Sequence, residues 1–96
     1  MLQIGHHVLL PVLASNGDGN FIKIAKKTYE KMGITVLGKH DGILQWVELP
    51  DYWTIMVDAD GDYDILLDDA DNIRGTIFNE LNVEGEVTYA IFKEVK

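Results

Sequence analysis

The C-terminal two thirds of the chain limit the fold most, because short β-forming runs alternate there with turn residues. Runs rich in β-branched and aromatic residues predict strands, and the glycine, proline and aspartate between them predict turns. The predicted strands are residues 34–37, 43–49, 53–57, 62–67, 73–78 and 87–95. The Asp60-Gly61 dipeptide favours a hairpin between the third and fourth of these runs. The pattern therefore predicts a mostly antiparallel sheet of about six strands.

Two of these runs also predict burial. Residues 53–57 are apolar on both faces, which is typical of a central strand. In residues 62–67, Tyr63, Ile65 and Leu67 alternate with Asp62 and Asp64. Because successive strand residues point to opposite faces, the apolar set is predicted to face the core and the aspartates to face water.

The N-terminal third predicts one strand and one helix. Residues 8–13 form an aliphatic run in which Pro11 lacks an amide donor, which favours a position at a sheet edge. Residues 21–32 have apolar side chains at helical spacing, with Asp18 or Asn20 as N-cap and Gly33 at the end. We therefore expect a single α+β domain over residues 1–96, with one amphipathic helix packed on the sheet.

Composition narrows the setting in which the chain acts. The 96 residues contain no cysteine, which excludes disulfides, thiolate metal ligands and thiol nucleophiles and favours a cytoplasmic location. No run approaches the roughly 20 apolar residues that span a bilayer, and the first residues lack the basic start of a signal peptide. Neither a membrane nor an export role is expected.

The composition is unusual in its excess of negative charge. The net charge is −8, and residues 40–73 contain carboxylates but no lysine or arginine. Such a surface repels nucleic acid and anionic lipid. No direct nucleic-acid or membrane binding is therefore predicted.

The aspartates predict a binding surface for a basic protein. Aspartates two apart on a strand are separated by roughly 6.6 Å, a spacing that can imitate nucleic-acid phosphates toward a host protein that binds them. The predicted partner-binding residues are Asp58, Asp60, Asp62, Asp64, Asp68, Asp69 and Asp71. The hypothesis is a non-enzymatic protein of the nucleic-acid-mimic or inhibitor type, encoded by a phage. A simpler interpretation is that the acidic residues only keep the protein soluble, or that the lysines of the predicted helix neutralise them.

Two alternatives stay open. Asp58, Asp60, Asp62 and Asp69 occupy positions one, three, five and twelve of a calcium-loop pattern, although Tyr63 stands where that loop needs glycine. The second alternative is a structural domain without ligand that forms a homodimer through an open sheet edge. Apart from the calcium alternative, no cofactor is predicted.

Catalytic residues are poorly supported. His6 and His7 are adjacent and would face opposite ways on a strand, so they cannot share a metal ion without distortion. His40 and Asp41 form a neighbouring pair suited to acid–base chemistry, and Ser15 lacks the surrounding motif that activates a serine nucleophile. The chain is therefore predicted not to be an enzyme.

Several short motifs are shared with a known family. They are Lys31-Met-Gly-Ile-Thr-Val-Leu-Gly38, Leu49-Pro50 followed by Trp53, Leu67-Asp-Asp69 and Arg74-Gly-Thr-Ile-Phe78. Through them, about half of the chain resembles a small uncharacterised domain of bacteria and their phages, which carries a Leu-Pro-x-Gly-Trp element and an Arg-x-x-Ile-Phe strand. Tyr52 stands where that family has glycine, and Asn79-Glu80 where it has Tyr-Lys. The resemblance implies antiparallel hairpins and a phage or mobile-element origin, and it assigns no activity.

Overall fold

The described part of the chain forms ten strands, which make two sheets, and one helix. The computed structural model describes residues 3–4, 6–15, 22–58 and 63–95. Its elements are β1 (Gln3–Ile4), β2 (His7–Pro11), β3 (Leu13–Ser15), β4 (Ile22–Ile24), α1 (Lys26–Lys31), β5 (Thr35–Lys39), β6 (Leu44–Glu48), β7 (Thr54–Val57), β8 (Tyr63–Leu67), β9 (Ile73–Leu81) and β10 (Val87–Glu94). The sheets have the strand orders β1-β2-β6-β5 and β4-β3-β10-β9-β8-β7. Among the described strands, only β3 and β10 pair in parallel.

The chain passes from one sheet to the other at Val12, between β2 and β3. The Val12 N–H donates to the Ile43 carbonyl over 2.8 Å, and the Val12 carbonyl accepts from the Ala25 N–H over 2.8 Å. The predicted edge position of residues 8–13 is wrong, since β2 lies between β1 and β6 and β3 between β4 and β10. Pro11 is tolerated because it is the last residue of β2, where the ladder ends.

The helix is shorter than the pattern predicts. It covers Lys26–Lys31, while Ile22–Ile24 form β4 and pair with β3. The predicted caps Asp18 and Asn20 lie outside the described residues, and Ala25 takes the N-cap position without a side-chain hydrogen bond. Gly33 ends the helix as predicted, with φ of 87° and an N–H that donates to the Glu30 carbonyl over 3.1 Å.

The core lies between the inner faces of the two sheets and the helix. Its buried members are Val8, Leu10, Ala14, Ala25, Tyr29, Met32, Ile34, Val47, Leu49, Leu66, Ile77 and Phe92. The Tyr29 ring packs on Phe92 with centroids 5.0 Å apart, and its hydroxyl donates to the Pro11 carbonyl over 2.7 Å. The helix is thus fixed to the point where the chain changes sheets.

Over the residues that the structure describes, the fold is dominated by sheet, with one small helix. The predicted single sheet is in fact two sheets, because the chain folds over at Val12. The predicted central position of residues 53–57 is also wrong: β7 is an edge strand, and Met56 and Val57 are both more than half exposed. No helix in the described part of the chain is long and apolar enough to cross a membrane.

Tyr52 has a backbone conformation that favours glycine. It occupies the third position of a turn closed by the Trp53 N–H and the Pro50 carbonyl over 3.2 Å, and its φ is 67°. Positive φ at this position alone is the mark of a type II turn, in which glycine is preferred. The Tyr52 side chain is 85% exposed, so its packing compensates little.

We expect Tyr52→Gly to raise the free energy of unfolding by about 0.5–1 kcal/mol, because the left-handed conformation costs a side-chain-bearing residue more than the added chain entropy of glycine. Urea unfolding at neutral pH measures the change. Tyr52→Ala is the matched control, since alanine keeps the strain and loses only the exposed ring. Equal stabilities for the Tyr52→Gly and Tyr52→Ala variants would contradict the prediction.

Candidate functional site

The described aspartates of the acidic segment do not share one surface. Asp58 directly follows β7, where its N–H donates to the Tyr63 carbonyl over 2.9 Å, whereas Asp69 and Asp71 follow the far end of β8. A five-residue strand separates the two groups by roughly 16 Å. Asp60 and Asp62 lie outside the described residues. The single acidic face predicted from the sequence is therefore not formed by the aspartates that the structure describes.

Asp64 lies inside the protein, which is the reverse of the predicted orientation. It is 2% exposed and faces the core together with Leu66, while Tyr63, Ile65 and Leu67 face away from it. The Asn79 side-chain amide donates to the Asp64 carboxylate over 2.9 Å. Burial raises the pKa of Asp64, and the hydrogen bond from Asn79 opposes part of that rise.

Asp68 holds a turn together. Its carboxylate accepts from the backbone N–H groups of Asn72 and Ala70 over 2.9 Å each and lies 3.5 Å from the Arg74 guanidinium. The backbone hydrogen bond from Asn72 is the main cause that lowers the pKa of Asp68. Asp71, with φ of 62°, completes the turn. Asp64 and Asp68 thus have internal partners, and Asp69 and Asp71 expose their side chains.

The structure separates two of the four residues proposed as calcium ligands. Asp58 and Asp69 lie at opposite ends of β8, so they cannot bind the same ion, and the other two proposed ligands are not described. Within residues 3–4, 6–15, 22–58 and 63–95, no three histidine or carboxylate side chains come together in a way that could hold a metal ion.

The two inward aspartates predict opposite pH effects. Because the pKa of Asp64 is raised on folding, the native state binds its proton more tightly than the unfolded state, so stability falls as pH rises from near 3.8 through the raised value. Asp64→Asn should remove this fall and raise the free energy of unfolding at pH 7 by about 1 kcal/mol, with no gain below pH 4. The pKa of Asp68 is lowered, so its contribution is present at neutral pH and is lost on acidification.

Urea unfolding between pH 3 and 8 measures both effects. Asp68→Asn should destabilise at pH 7 and approach the wild type at low pH. The matched control is Asp69→Asn, which removes the same charge from an exposed side chain. An Asp64→Asn variant whose advantage did not depend on pH would contradict the assignment.

The candidate catalytic residues are engaged in structural contacts. The Asp41 carboxylate accepts from the N–H groups of Ile43 and Leu44 over 2.7 Å each, and the hydrogen bond from Leu44 is the main cause that lowers its pKa. The His40 ring packs edge-on against Trp46, with centroids 5.8 Å apart. His7 lies 3.3 Å from the Glu48 carboxylate across β2 and β6. These contacts account for His7, His40 and Asp41 as surface and turn residues.

Several exposed apolar side chains lie on the side of the six-stranded sheet that faces away from the core, here called the outer face. Residues paired across neighbouring strands share a face, which defines its members. They are Ile22 and Ile24 on β4, Leu13 and Ser15 on β3, Tyr89, Ile91 and Lys93 on β10, Ile73, Thr76, Phe78 and Glu80 on β9, Tyr63, Ile65 and Leu67 on β8, and Thr54 and Met56 on β7. Lys93 and Glu80 are its charged members.

The outer face is strongly apolar and open to solvent. Ile22, Ile24, Met56, Tyr63 and Phe78 are 44%, 60%, 53%, 49% and 38% exposed. The rings of Tyr63 and Phe78 meet across β8 and β9, with centroids 5.4 Å apart. Beside them is a shallow depression of about 320 Å³. Contiguous apolar surfaces of this kind are uncommon on monomeric proteins and are typical of interaction sites.

The sequence patterns considered above do not identify the outer face, although a signal for it is present. Adjacent apolar residues recur within the strands, as in Leu66-Leu67, Ile77-Phe78 and Ile91-Phe92. In each pair one side chain faces the core and the other the outer face. Strands apolar at consecutive positions indicate a sheet with two apolar faces.

No protein-family model, curated protein or solved structure matches the chain at the significance required.

Proposed function

We propose that this chain is a non-enzymatic protein-binding domain that binds its partner through the outer face of the six-stranded sheet. The observation that carries the proposal is the exposure of Ile22, Ile24, Met56, Tyr63 and Phe78 on one continuous surface. Burying such a surface is favourable by about 25 cal/mol per Å², so a partner that covers it gains binding free energy. The absence of cysteine supports a cytoplasmic location, which stays a prediction.

The shape and charge of the outer face favour a protein partner. Small-molecule sites are concave and enclose most of the ligand, whereas this surface is the side of a sheet with one shallow depression. The net charge of −8 repels nucleic acid, and Lys93 is the only cation among the described residues assigned to the outer face. A flat apolar surface with few charges matches the centre of a protein–protein interface.

A basic partner bound through the aspartates is a second proposal. The exposure of Asp69 and Asp71 and the net charge of −8 favour it. Burial withdraws Asp64 and Asp68 from the predicted contact set. Binding of this kind weakens as salt rises, because it depends on attraction between opposite charges. The nucleic-acid-mimic, phage and inhibitor hypotheses belong to this second proposal.

Sedimentation of a fluorescently labelled chain in a bacterial lysate, with and without excess unlabelled chain, separates the two proposals. We expect labelled complexes that sediment faster than the 10.8 kDa chain alone, that disappear with the double variant Ile24→Lys/Met56→Lys and that persist with Asp69→Asn/Asp71→Asn. Both pairs are exposed, so their effect on folding should stay within about 0.5 kcal/mol. Loss of the complexes with the aspartate variant alone would favour a basic partner. Insensitivity to both pairs would contradict both proposals.

A further inference from the structure

We propose that the partner is a second copy of this chain, so that two outer faces pack against each other across a two-fold axis. The inference rests on the proposed function and specifies its partner. A two-fold dimer requires a self-complementary surface, because the same patch is buried on both copies. The area and the charge pattern of the outer face meet this requirement.

The area of the outer face suits a stable dimer. Five of its apolar side chains, Tyr63 and Phe78 among them, are on average about half exposed, and about 200 Å² for each large side chain, the value for aromatic rings, gives about 500 Å². The half-buried members, such as Leu13, Ile65 and Ile91, bring the total to roughly 700 Å² per copy. Stable protein interfaces bury about 800 Å² per partner. Two copies packed face to face therefore reach the size of a standard interface.

The two charges of the outer face are placed for mutual pairing. Ile91 on β10 lies opposite Phe78 on β9, and the two strands are antiparallel. Lys93 is two residues beyond Ile91 and Glu80 is two residues beyond Phe78, so they lie on opposite sides of this central pair. Neither Lys93 nor Glu80 has an ion-pair partner among the described residues.

A two-fold axis that crosses the strands through the Ile91–Phe78 pair exchanges these two sides. It places Lys93 of each copy opposite Glu80 of the other, which makes two equivalent ion pairs per dimer. With strands about 4.8 Å apart and side chains of one face about 6.8 Å apart, such an axis sets the strands of the two sheets at roughly 40°. Aligned sheets in natural sandwiches keep their strands within about 30° of each other, so the charge pairing and the preferred sheet packing require angles of similar magnitude.

Pairing through the exposed edge of β7 is the competing dimer. That edge offers only the four residues Thr54–Val57, and joining two copies there leaves most of the outer face in water. Packing of the outer faces buries far more apolar area. The experiment distinguishes the two arrangements.

Sedimentation equilibrium of the purified chain tests the inference. We expect a species of twice 10.8 kDa, with the dissociation constant raised about tenfold or more by Lys93→Glu or Glu80→Lys, because each reversal creates two like-charge contacts. The double variant Lys93→Glu/Glu80→Lys should restore the wild-type constant. Lys27→Glu and Glu84→Lys are the matched controls, since they make the same charge changes at exposed positions off the outer face.

Salt supplies an independent measurement. Two copies that carry −8 each repel over long range, so raising the salt concentration should strengthen the dimer, whereas it would weaken binding to a basic partner. A chain that stays monomeric up to millimolar concentration would overturn the inference, and so would a dimer that is weakened only by Val57→Lys at the β7 edge. A monomeric chain whose lysate complexes still depend on Ile24 and Met56 would leave the protein-binding function standing with a different partner.

Discussion

Gly75→Ala is expected to lower the free energy of unfolding by about 3 kcal/mol, because a methyl group at this position has no space. A Cβ at Gly75 would overlap the Cε2 and Cζ atoms of the Phe92 ring and lie 3.1 Å from the Lys93 carbonyl oxygen. Phe92 is fully buried and packs on Tyr29, so its ring cannot move aside without disturbing the core. Urea unfolding measures the loss.

Gly38→Ala is the matched control for Gly75→Ala. It makes the same change in a strand of the other sheet, where a Cβ meets no atom within 4 Å, so its effect on stability should be below about 1 kcal/mol. Phe92→Leu in the Gly75→Ala background should recover part of the loss, since the smaller side chain vacates the overlapping volume. Additive effects of the two substitutions would show that Gly75 does not act through Phe92.

Asn79→Ala is expected to lower the free energy of unfolding by about 2–3 kcal/mol at pH 7, because it leaves the buried Asp64 carboxylate without the amide that donates to it. The loss should be smaller at pH 4, where more of Asp64 is protonated and a neutral acid costs less to bury. Urea unfolding at the two pH values measures the difference.

The double variant Asp64→Leu/Asn79→Leu is the control for Asn79→Ala. It removes donor and acceptor together and replaces them with apolar side chains of similar shape, so it should be close to wild type in stability. An Asn79→Ala loss that is the same at pH 4 and pH 7 would mean that the cavity, and not the charge, causes it.

The segmentation of the sheet could be predicted from the sequence, but the side that each strand buries could not. Turn residues place the ends of the last six strands to within a few positions. In β8, however, the alternation of Tyr63, Ile65 and Leu67 with aspartate identifies two faces without saying which one meets the core. Leu66 shares the inner face with Asp64 and enters the core, and Asn79 on β9 supplies an internal donor that makes burial of Asp64 possible. A cross-strand partner of this kind is invisible until the pairing register is known.

The prediction that residues 22–24 belong to the helix is wrong for a similar reason. Ile22, Lys23 and Ile24 fit the helical spacing of the residues that follow, and they also alternate as a strand does. Pairing of Ile22–Ile24 with β3 decides between the two, and β3 lies there only because the chain changes sheets at Val12. The outer face differs from the prediction because an apolar strand residue is usually expected in the core, whereas this sheet also has apolar side chains on the side away from the core.

The parallel pairing of β3 with β10 has a consequence for synthesis on the ribosome. Leu13, Ala14 and Ser15 are aligned with Ile91, Phe92 and Lys93, so strands made almost eighty residues apart must meet before the six-stranded sheet is complete. Until Lys93 has left the exit tunnel, the β3–β4 pair and the β7–β9 meander remain separate and expose apolar edges. Nascent chains arrested before β10 should therefore bind chaperones, and release of the last strand should trigger cooperative folding.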